Sequence, residues 1–295
     1  MLEALKPNDA VAVVAPSGPF ERTVFERGLA LIAARYRPVF DDGIFSKVRY
    51  LAGDDARRAA EFQSAMERSD IKAVFAARGG YGAGRLSPLL SPKAWRPKPI
   101  IGFSDITALH ALAARSGMPS VHGPVITQLG RLPAACAQRL WAALESPDAL
   151  PPLEGTDSLV PGIAEGRLVG GNLAVFASQV GTPFMPSLDG AVVLFEDVGE
   201  RPYRIDRMWS QLVQSGAFKG VRAFALGEFT DCDEKNADYG ALDVLRSLAQ
   251  AEGVPTLAGL PLGHGATNMA VPLGRRVRVD ADNLRLEFLE ALTGP

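Results

Sequence analysis

The chain has 295 residues, of which 47% are hydrophobic and 22% charged, a composition that excludes a disordered or collagen-like protein and predicts two globular domains. Its 31 basic and 33 acidic residues give a net charge of -2, so no basic field favours nucleic acid as a partner. No apolar run approaches the ~20 residues that span a bilayer, and the N-terminus lacks a signal-peptide pattern, so we expect no membrane partner and a cytoplasmic location. Cys136 and Cys232 stand far apart without metal-ligand spacing, so we expect neither a metal nor a cofactor.

Strand and helix patterns alternate in the first half of the chain. An apolar strand over residues 11–15 precedes an amphipathic helix over 21–35, and Asp54 or Asp55 caps a helix that ends near residue 68. Buried strands follow at 73–77 and 99–103. Continuous apolar strands between helices are typical of a parallel sheet with helices on both faces, whose ligands bind beyond the carboxyl ends of the strands.

The second half mixes strands with helices. The predicted elements are strands at 191–195, 221–226, 275–279 and 284–288, with helices near 203–214 and 240–252. Residues 147–166 carry four prolines and three glycines with little periodicity, which indicates a linker. We therefore predict an N-terminal domain over residues 1–148, a linker over 149–166 and a C-terminal domain over 167–295.

Ser104 is the candidate nucleophile. It stands where the strand at 99–103 gives way to a helix, so its hydroxyl would project at the sheet edge beside the amides of the new helix, an arrangement suited to acyl transfer. The alternative is that Ser104 only caps that helix. The G-x-S-x-G pattern of α/β-hydrolases is missing, which argues against that fold.

Three histidines compete for the role of base. His110 lies within the helix after Ser104, and His122 ends a short apolar run, whereas His264 is flanked by glycines that allow close approach to another element, so we rank it first. An acid that orients such a ring should follow a buried strand. Glu196 meets this condition, but spacing alone does not separate it from Asp197 or Glu200.

Seven segments in chain order resemble the LD-carboxypeptidase family. They are VVAPS at 13–17, ARGGYG at 77–82, GFSD at 102–105, GRLVGGNL at 166–173, FEDV at 195–198, ERPYRIDR at 200–207 and GHG at 263–265. The resemblance implies a flavodoxin-like N-terminal domain that carries Ser104 and a smaller β-rich C-terminal domain that carries Glu196 and His264, with the site between them. It further implies an oxyanion hole formed by the backbone amides of Asp105 and Gly80.

The resemblance implies a serine carboxypeptidase without a metal or cofactor that releases a terminal D-amino acid from an L-centre. D-Alanine trimmed from murein tetrapeptide during cell-wall recycling is the expected product, and a homodimer is the expected assembly. Related members instead cleave a peptidyl-nucleotide antibiotic of the microcin C type, but they carry an extra stretch between nucleophile and acid. Here Ser104 and Glu196 are only 92 residues apart (196 − 104), which favours the murein peptide.

Recognition of a terminal carboxylate calls for a cation. Arg78 and Arg204 are candidates for a bidentate clamp, and Tyr81 is a further candidate for substrate contact. A different class of function is also open, in which the glycine-rich loop at 79–84 cradles the phosphate of a small ligand and the protein is a non-catalytic binder.

Overall fold

The protein is described here by a computed structural model over residues 2–294. The strands, in chain order, are β1 (Leu2–Glu3), β2 (Ala10–Val14), β3 (Arg37–Val39), β4 (Ile71–Ala76), β5 (Ile100–Gly102), β6 (Ser120–His122), β7 (Leu153–Glu154), β8 (Asp157–Val160), β9 (Ile163–Asn172), β10 (Ala191–Val198), β11 (Ala223–Thr230), β12 (Thr256–Ala258), β13 (Val271–Leu273), β14 (Arg276–Asp280), β15 (Arg285–Phe288) and β16 (Thr293–Gly294). The α-helices are α1 (Arg22–Ala33), α2 (Asp55–Glu67), α3 (Thr107–Arg115), α4 (Ile126–Leu129), α5 (Ala134–Glu145), α6 (Leu173–Ala177), α7 (Pro202–Gln214) and α8 (Ala241–Glu252). Short 3-10 helices lie at Asp42–Phe45, Ala83–Arg85, Ser87–Leu89, Pro92–Ala94 and Ser104–Ile106.

The first large sheet has the strand order β3-β2-β4-β5-β6-β13. Its first five strands are parallel, and β13 joins the edge antiparallel to β6. Both faces of its strands are buried: Val11 of β2 shares a core with Phe25 of α1, while Ala12 shares another with Phe62 of α2. This arrangement confirms the predicted parallel sheet between two helical layers.

The second large sheet has the order β7-β15-β14-β9-β10-β11-β12-β8. Its centre, β9 to β12, is parallel, and the outer strands pair antiparallel. On one face Phe195 of β10 packs in a core with Trp209 of α7 and Leu245 of α8. Ala111 of α3 belongs to this same core, so the helix that follows Ser104 packs against both sheets.

Most predicted elements are confirmed, but the segment expected to be a linker is not one. Residues 149–166 form β7, β8 and the start of β9, and Leu153 and Leu159 within them are buried. The prolines lie before β7 or between β8 and β9, Gly155 and Gly162 lie between strands, and Gly166 lies within β9. β7 and β8 are the two edges of the second sheet. Edge strands tolerate proline and interruption in a way that central strands do not, which explains the linker-like composition.

The chain also returns to the first sheet after residue 167. β13 pairs with β6, and β16 forms a small parallel pair with β1, so the predicted limits at 148 and 167 do not coincide with the limits of the sheets. Both cysteines are buried free thiols.

Within 2–294, every helix is too short or too polar to cross a bilayer. Across that range, no group of three or more His, Cys, Asp or Glu side chains is arranged to hold a metal ion.

Candidate active site

Ser104 lies on a strained turn at the carboxyl end of β5. Its φ is +61°, in the left-handed region that residues with a side chain seldom occupy. Gly102 permits the sharp turn, since a Cβ there would lie 2.9 Å from Ile106 Cγ1. The first turns of the 3-10 helix and of α3 have no side-chain cap bond, so the alternative role of Ser104 as a helix cap is not what the structure shows. A strained serine between a strand and a helix is the arrangement of a nucleophile elbow.

The glycine-rich loop lies directly against Ser104. A Cβ on Gly79 would stand 3.0 Å from Ser104 Cβ and 3.2 Å from its Oγ, so only glycine fits here without displacement. Gly80 has a φ of +111° and packs against Gly18, whose N–H donates to the Gly79 carbonyl at 3.1 Å. Gly80 directly follows Gly79 in the loop that packs against the candidate nucleophile.

Glu196 and His264 are in direct contact. Glu196 lies near the end of β10 with its side chain fully buried, and its Oε2 is 2.7 Å from His264 Nδ1. Burial alone would lower the pKa of His264, but the hydrogen bond and charge of Glu196, helped by the charge of Asp197, outweigh it and raise the pKa. Because Nδ1 faces the carboxylate, that nitrogen holds the ring proton and Nε2 is the nitrogen able to act as a base.

The glycines on either side of His264 each leave room for a carboxylate. Gly263 has a φ of +119°, and a Cβ there would be 2.7 Å from Glu196 Oε2. A Cβ on Gly265 would be 1.4 Å from Glu228 Oε2. Burial raises the pKa of Glu228. The close approach expected from these two glycines is therefore confirmed.

His264 meets the nucleophile segment through Phe103. The two ring centroids are 4.7 Å apart, and Phe103 immediately precedes Ser104. A residue of the second half of the chain is thus packed onto the turn that carries the candidate nucleophile.

The contacts separate the three candidate acids. Asp197 accepts hydrogen bonds from Asn172 Nδ2 and the Ala174 N–H, each at 2.9 Å, and burial raises its pKa to about 6. Glu200 is partly exposed and pairs with Arg204 at 3.4 Å. Of the three, Glu196 is the one in contact with His264.

The other two histidines lie behind Phe103. His110 Nε2 is 2.8 Å from the Gly102 carbonyl, and the His122 ring centroid is 6.0 Å from that of Phe103. Burial lowers the pKa of His110 to about 4 and that of His122 well below its ordinary value. Both are therefore neutral and enclosed at physiological pH, which suits a packing role better than proton transfer with solvent or substrate.

Two buried polar bridges join the sheets around the site, and sequence reasoning missed both. On the acid side, the Asn172 N–H donates to Thr107 Oγ1 at 2.9 Å, while the Asn172 side chain reaches Asp197. Gly171 makes this possible, because a Cβ there would be 2.4 Å from Thr107 Oγ1.

The second bridge lies on the histidine side of the site. Asn268 accepts from the Gly263 N–H at 3.1 Å and donates to Gln128 Oε1 at 2.9 Å. Asn172 stands in the GRLVGGNL segment and Asn268 lies three residues after GHG, but nothing in the sequence pairs them with their partners.

The predicted substrate-contact residues lie at the surface around the loop and α7. Arg78 precedes Gly79 and donates to the Pro19 carbonyl. Tyr81 is 55% exposed and meets the Tyr50 ring edge-on at 5.6 Å. Arg204 is exposed on α7, paired with Glu200. A cavity of about 530 Å³ adjoins the loop, and its walls include Tyr81, Asp105, Val175 and Phe184.

The chain matches known proteins over nearly its whole length. Residues 11–123 match the LD-carboxypeptidase N-terminal domain, and residues 165–279 match the LD-carboxypeptidase C-terminal domain. The murein tetrapeptide carboxypeptidase of Pseudomonas aeruginosa is 35% identical, over 93% of this chain and 94% of that protein.

Solved structures show the same fold. The muramoyltetrapeptide carboxypeptidase from Oxalobacter formigenes aligns with a TM-score of 0.83 at 29% identity, over 94% of this chain and 97% of the other. The microcin C7 self-immunity protein MccF in its wild-type apo state aligns with a TM-score of 0.90 at 23% identity, over 100% and 99%.

A serine peptidase of mixed α/β fold is the class that these matches define. The chain belongs to the LD-carboxypeptidase family and is a serine-type carboxypeptidase.

Proposed function

We propose that Ser104, His264 and Glu196 act as nucleophile, base and orienting acid in the release of a terminal D-amino acid from an L-centre. The observation that carries this proposal is the 2.7 Å contact between Glu196 and His264, on a ring that packs against the residue before the strained Ser104. A buried carboxylate fixes the imidazole tautomer, and the imidazole lies at the turn that exposes the hydroxyl.

The chemistry follows from these positions. His264 Nε2 takes the Ser104 proton as Oγ bonds to the scissile carbonyl carbon, and Glu196 stabilises the imidazolium that forms. When the C–N bond breaks, the departing amine leaves with the proton from His264. Water, deprotonated by the same ring, then hydrolyses the acyl-enzyme and restores Ser104.

The backbone amides of Gly80 and Asp105 would bind the developing oxyanion. Gly80 lies in the loop packed on Ser104, and Asp105 begins the turn after it. A donor of this kind contributes about 3 to 4 kcal/mol to transition-state stabilisation where one has been removed by mutation. The two amides therefore supply a large part of the rate enhancement.

Murein tetrapeptide is the substrate we propose, with D-alanine as the product, in cell-wall recycling. The support is the 35% identical relative named for this activity, together with the short 92-residue interval between Ser104 and Glu196 (196 − 104). A peptidyl-nucleotide substrate of the microcin type is the second candidate, favoured by the close match in fold to MccF. Assembly as a homodimer and a cytoplasmic location stay predictions.

Arg78 is our preferred ligand for the terminal carboxylate. It directly precedes Gly79, and over residues 2–294 only its Nη1 is engaged, with the Pro19 carbonyl. Arg204 already shares its charge with Glu200, which leaves it less suited to a free carboxylate. Arg78→Met should therefore raise KM about tenfold or more with little change in kcat, whereas Arg204→Met should change KM less.

The decisive experiment incubates the protein with murein tetrapeptide and, separately, with an aminoacyl-nucleotide conjugate, and follows both by mass spectrometry. Release of D-alanine from the tetrapeptide, lost in Ser104→Ala, is the expected result. Cleavage of the conjugate alone would favour the microcin-type function. A serine-directed phosphonate that fails to modify Ser104 would favour a non-catalytic binder.

A further inference from the structure

Three segments of the first sheet meet behind the candidate oxyanion site. They are the loop at 16–18 after β2, the loop at 79–83 after β4 and the turn at 104–105 after β5. The Gly18 N–H donates to the Gly79 carbonyl, and Gly79 packs on Ser104. The two amides of the proposed oxyanion hole therefore belong to different segments, and their separation depends on whatever holds these segments together.

The side chain of Asp105 is at the centre of this junction. It is 4% exposed, and its Oδ2 accepts hydrogen bonds from the Ser17 hydroxyl at 2.6 Å and the Ala83 N–H at 2.8 Å. Burial raises the pKa of Asp105, while the bonds from Ser17, Ala83 and Gly82 and the charge of Arg58 oppose the rise. Since all of these partners donate hydrogen bonds or carry positive charge, the site is built for an ionised carboxylate, which accepts without donating.

Arg58 supports the same junction from the opposite side. Its guanidinium is fully buried, and Nη1 donates to the Gly82 carbonyl at 2.9 Å and to the Pro16 carbonyl. The two loops are thus held by a buried cation at their carbonyls and by a buried anion at their N–H and hydroxyl groups. Buried charges that hold several hydrogen bonds fix geometry closely, because water cannot replace the bonds that a displacement would break.

We propose that the Asp105 carboxylate is a positioning group for the oxyanion hole, an inference that rests on the proposed function. Asp105 is covalently next to Ser104, and its side chain holds the residue 79–83 loop that carries the Gly80 amide. Through Ser17 it also holds the loop on which Gly80 packs. One residue therefore contributes its own amide and sets the distance of the other, within the few tenths of an ångström that such donors require.

Asp105→Asn in the full chain tests this assignment. Asparagine keeps the size of the side chain, but it has no charge and its single oxygen accepts at most two hydrogen bonds, so one of the Ser17, Ala83 and Gly82 donors loses its partner and the loop shifts. Asp280→Asn is the matched control, because Asp280 is also buried and accepts from the Asn283 N–H at 3.0 Å and its Nδ2 at 2.9 Å, in a turn of the second sheet.

The measurement is inactivation by a fluorophosphonate. Ser104 Oγ forms a bond to phosphorus, fluoride departs, His264 takes the hydroxyl proton, and the phosphoryl oxygen occupies the oxyanion hole. We expect the maximal inactivation rate to fall about 100-fold in Asp105→Asn while the half-saturating probe concentration stays within threefold. Asp280→Asn should match the unmodified protein in both values.

A folded Asp105→Asn protein that is labelled at the unmodified rate would overturn the inference. Failure of the unmodified protein to be labelled at all would instead overturn the proposed function, so the two failures are distinguishable. If Asp105→Asn does not fold, Ser17→Ala decides: a fall of about tenfold in the maximal rate supports the positioning role, and an unchanged rate refutes it.

Discussion

Gly263→Ala should disable the enzyme through a single methyl group. The methyl would lie 2.7 Å from Glu196 Oε2, whereas ordinary contact begins near 3.4 Å, so the carboxylate must move by about 0.7 Å (3.4 − 2.7). Misplacement of a catalytic group by about 1 Å costs about 100-fold in rate. We therefore expect kcat/KM to fall by about 100-fold, equivalent to about 2.7 kcal/mol.

The backbone strain of this change needs its own control. Gly263 has a φ of +119°, where a side chain costs about 1 to 3 kcal/mol of stability. Gly162→Ala carries the same strain, because Gly162 has a φ of +121°, and its Cβ would meet only the Pro255 ring, 3.1 Å away in a turn of the second sheet. Its activity should stay within threefold of the unmodified protein.

Hydrolysis of an L,D-peptide and unfolding in urea together decide the outcome. Similar losses of stability in the two variants, with a large loss of kcat/KM only in Gly263→Ala, are expected. If Gly263→Ala retains activity within threefold of Gly162→Ala, the contact between Glu196 and His264 does not control catalysis, and the reasoning fails.

Three further predictions concern strain and ionisation. Ser104→Gly should be more stable to unfolding than Ser104→Ala by about 1 kcal/mol, because only glycine adopts a φ of +61° without strain. Both variants should be inactive. Equal stabilities of the two variants would show that the turn at Ser104 is not strained. In the pH profile of kcat/KM, the midpoint of the acidic limb should lie above pH 6.5, because Glu196 raises the pKa of His264. In Glu196→Gln this midpoint should move to lower pH, and kcat should fall about 10⁴-fold. A limb that does not move would exclude His264 as the titrating base. The pKa of His110 is depressed to about 4 in the folded state, so its contribution to stability is complete above pH 6.5 and is lost as the pH falls, about 3 kcal/mol by pH 4. His110→Gln should flatten that part of the stability profile, as measured by urea unfolding at each pH.

Periodicity predicted the long elements well because their burial is continuous. The strand expected at 11–15 is β2 (Ala10–Val14), and the helix expected at 203–214 is α7 (Pro202–Gln214). The short edge strands β7 and β8 escaped prediction because each has only a few buried residues between prolines and glycines. The pairing of β13 with β6 is a contact between residues about 150 positions apart, which no local pattern encodes.

The candidate site likewise combines features that local sequence predicts with features that depend on contacts distant in the chain. Residue type and position relative to strands were enough to select Ser104 and His264 as candidates. They did not distinguish Glu196 from Asp197 and Glu200 as the orienting acid. Only the contacts separate these acids, because neighbouring residues on a strand point to opposite faces and their partners lie elsewhere in the chain. The positive φ of Ser104 could not be predicted from the sequence either, because a serine before a helix is equally compatible with an ordinary helix cap.

The division of the site between two sheets raises the question of how its parts are kept in register. Four residues after His264, Asn268 accepts a hydrogen bond from the Gly263 N–H and donates one to Gln128. The chain then enters β13, where Val271 pairs with His122 of the first sheet. On the acid side, Thr107 and Asn172 link the helix after Ser104 to the end of β10. A shift of one sheet against the other would therefore break buried hydrogen bonds on both sides of the site, at about 1 to 3 kcal/mol for each group left unsatisfied. These bonds hold the two sheets together around the site.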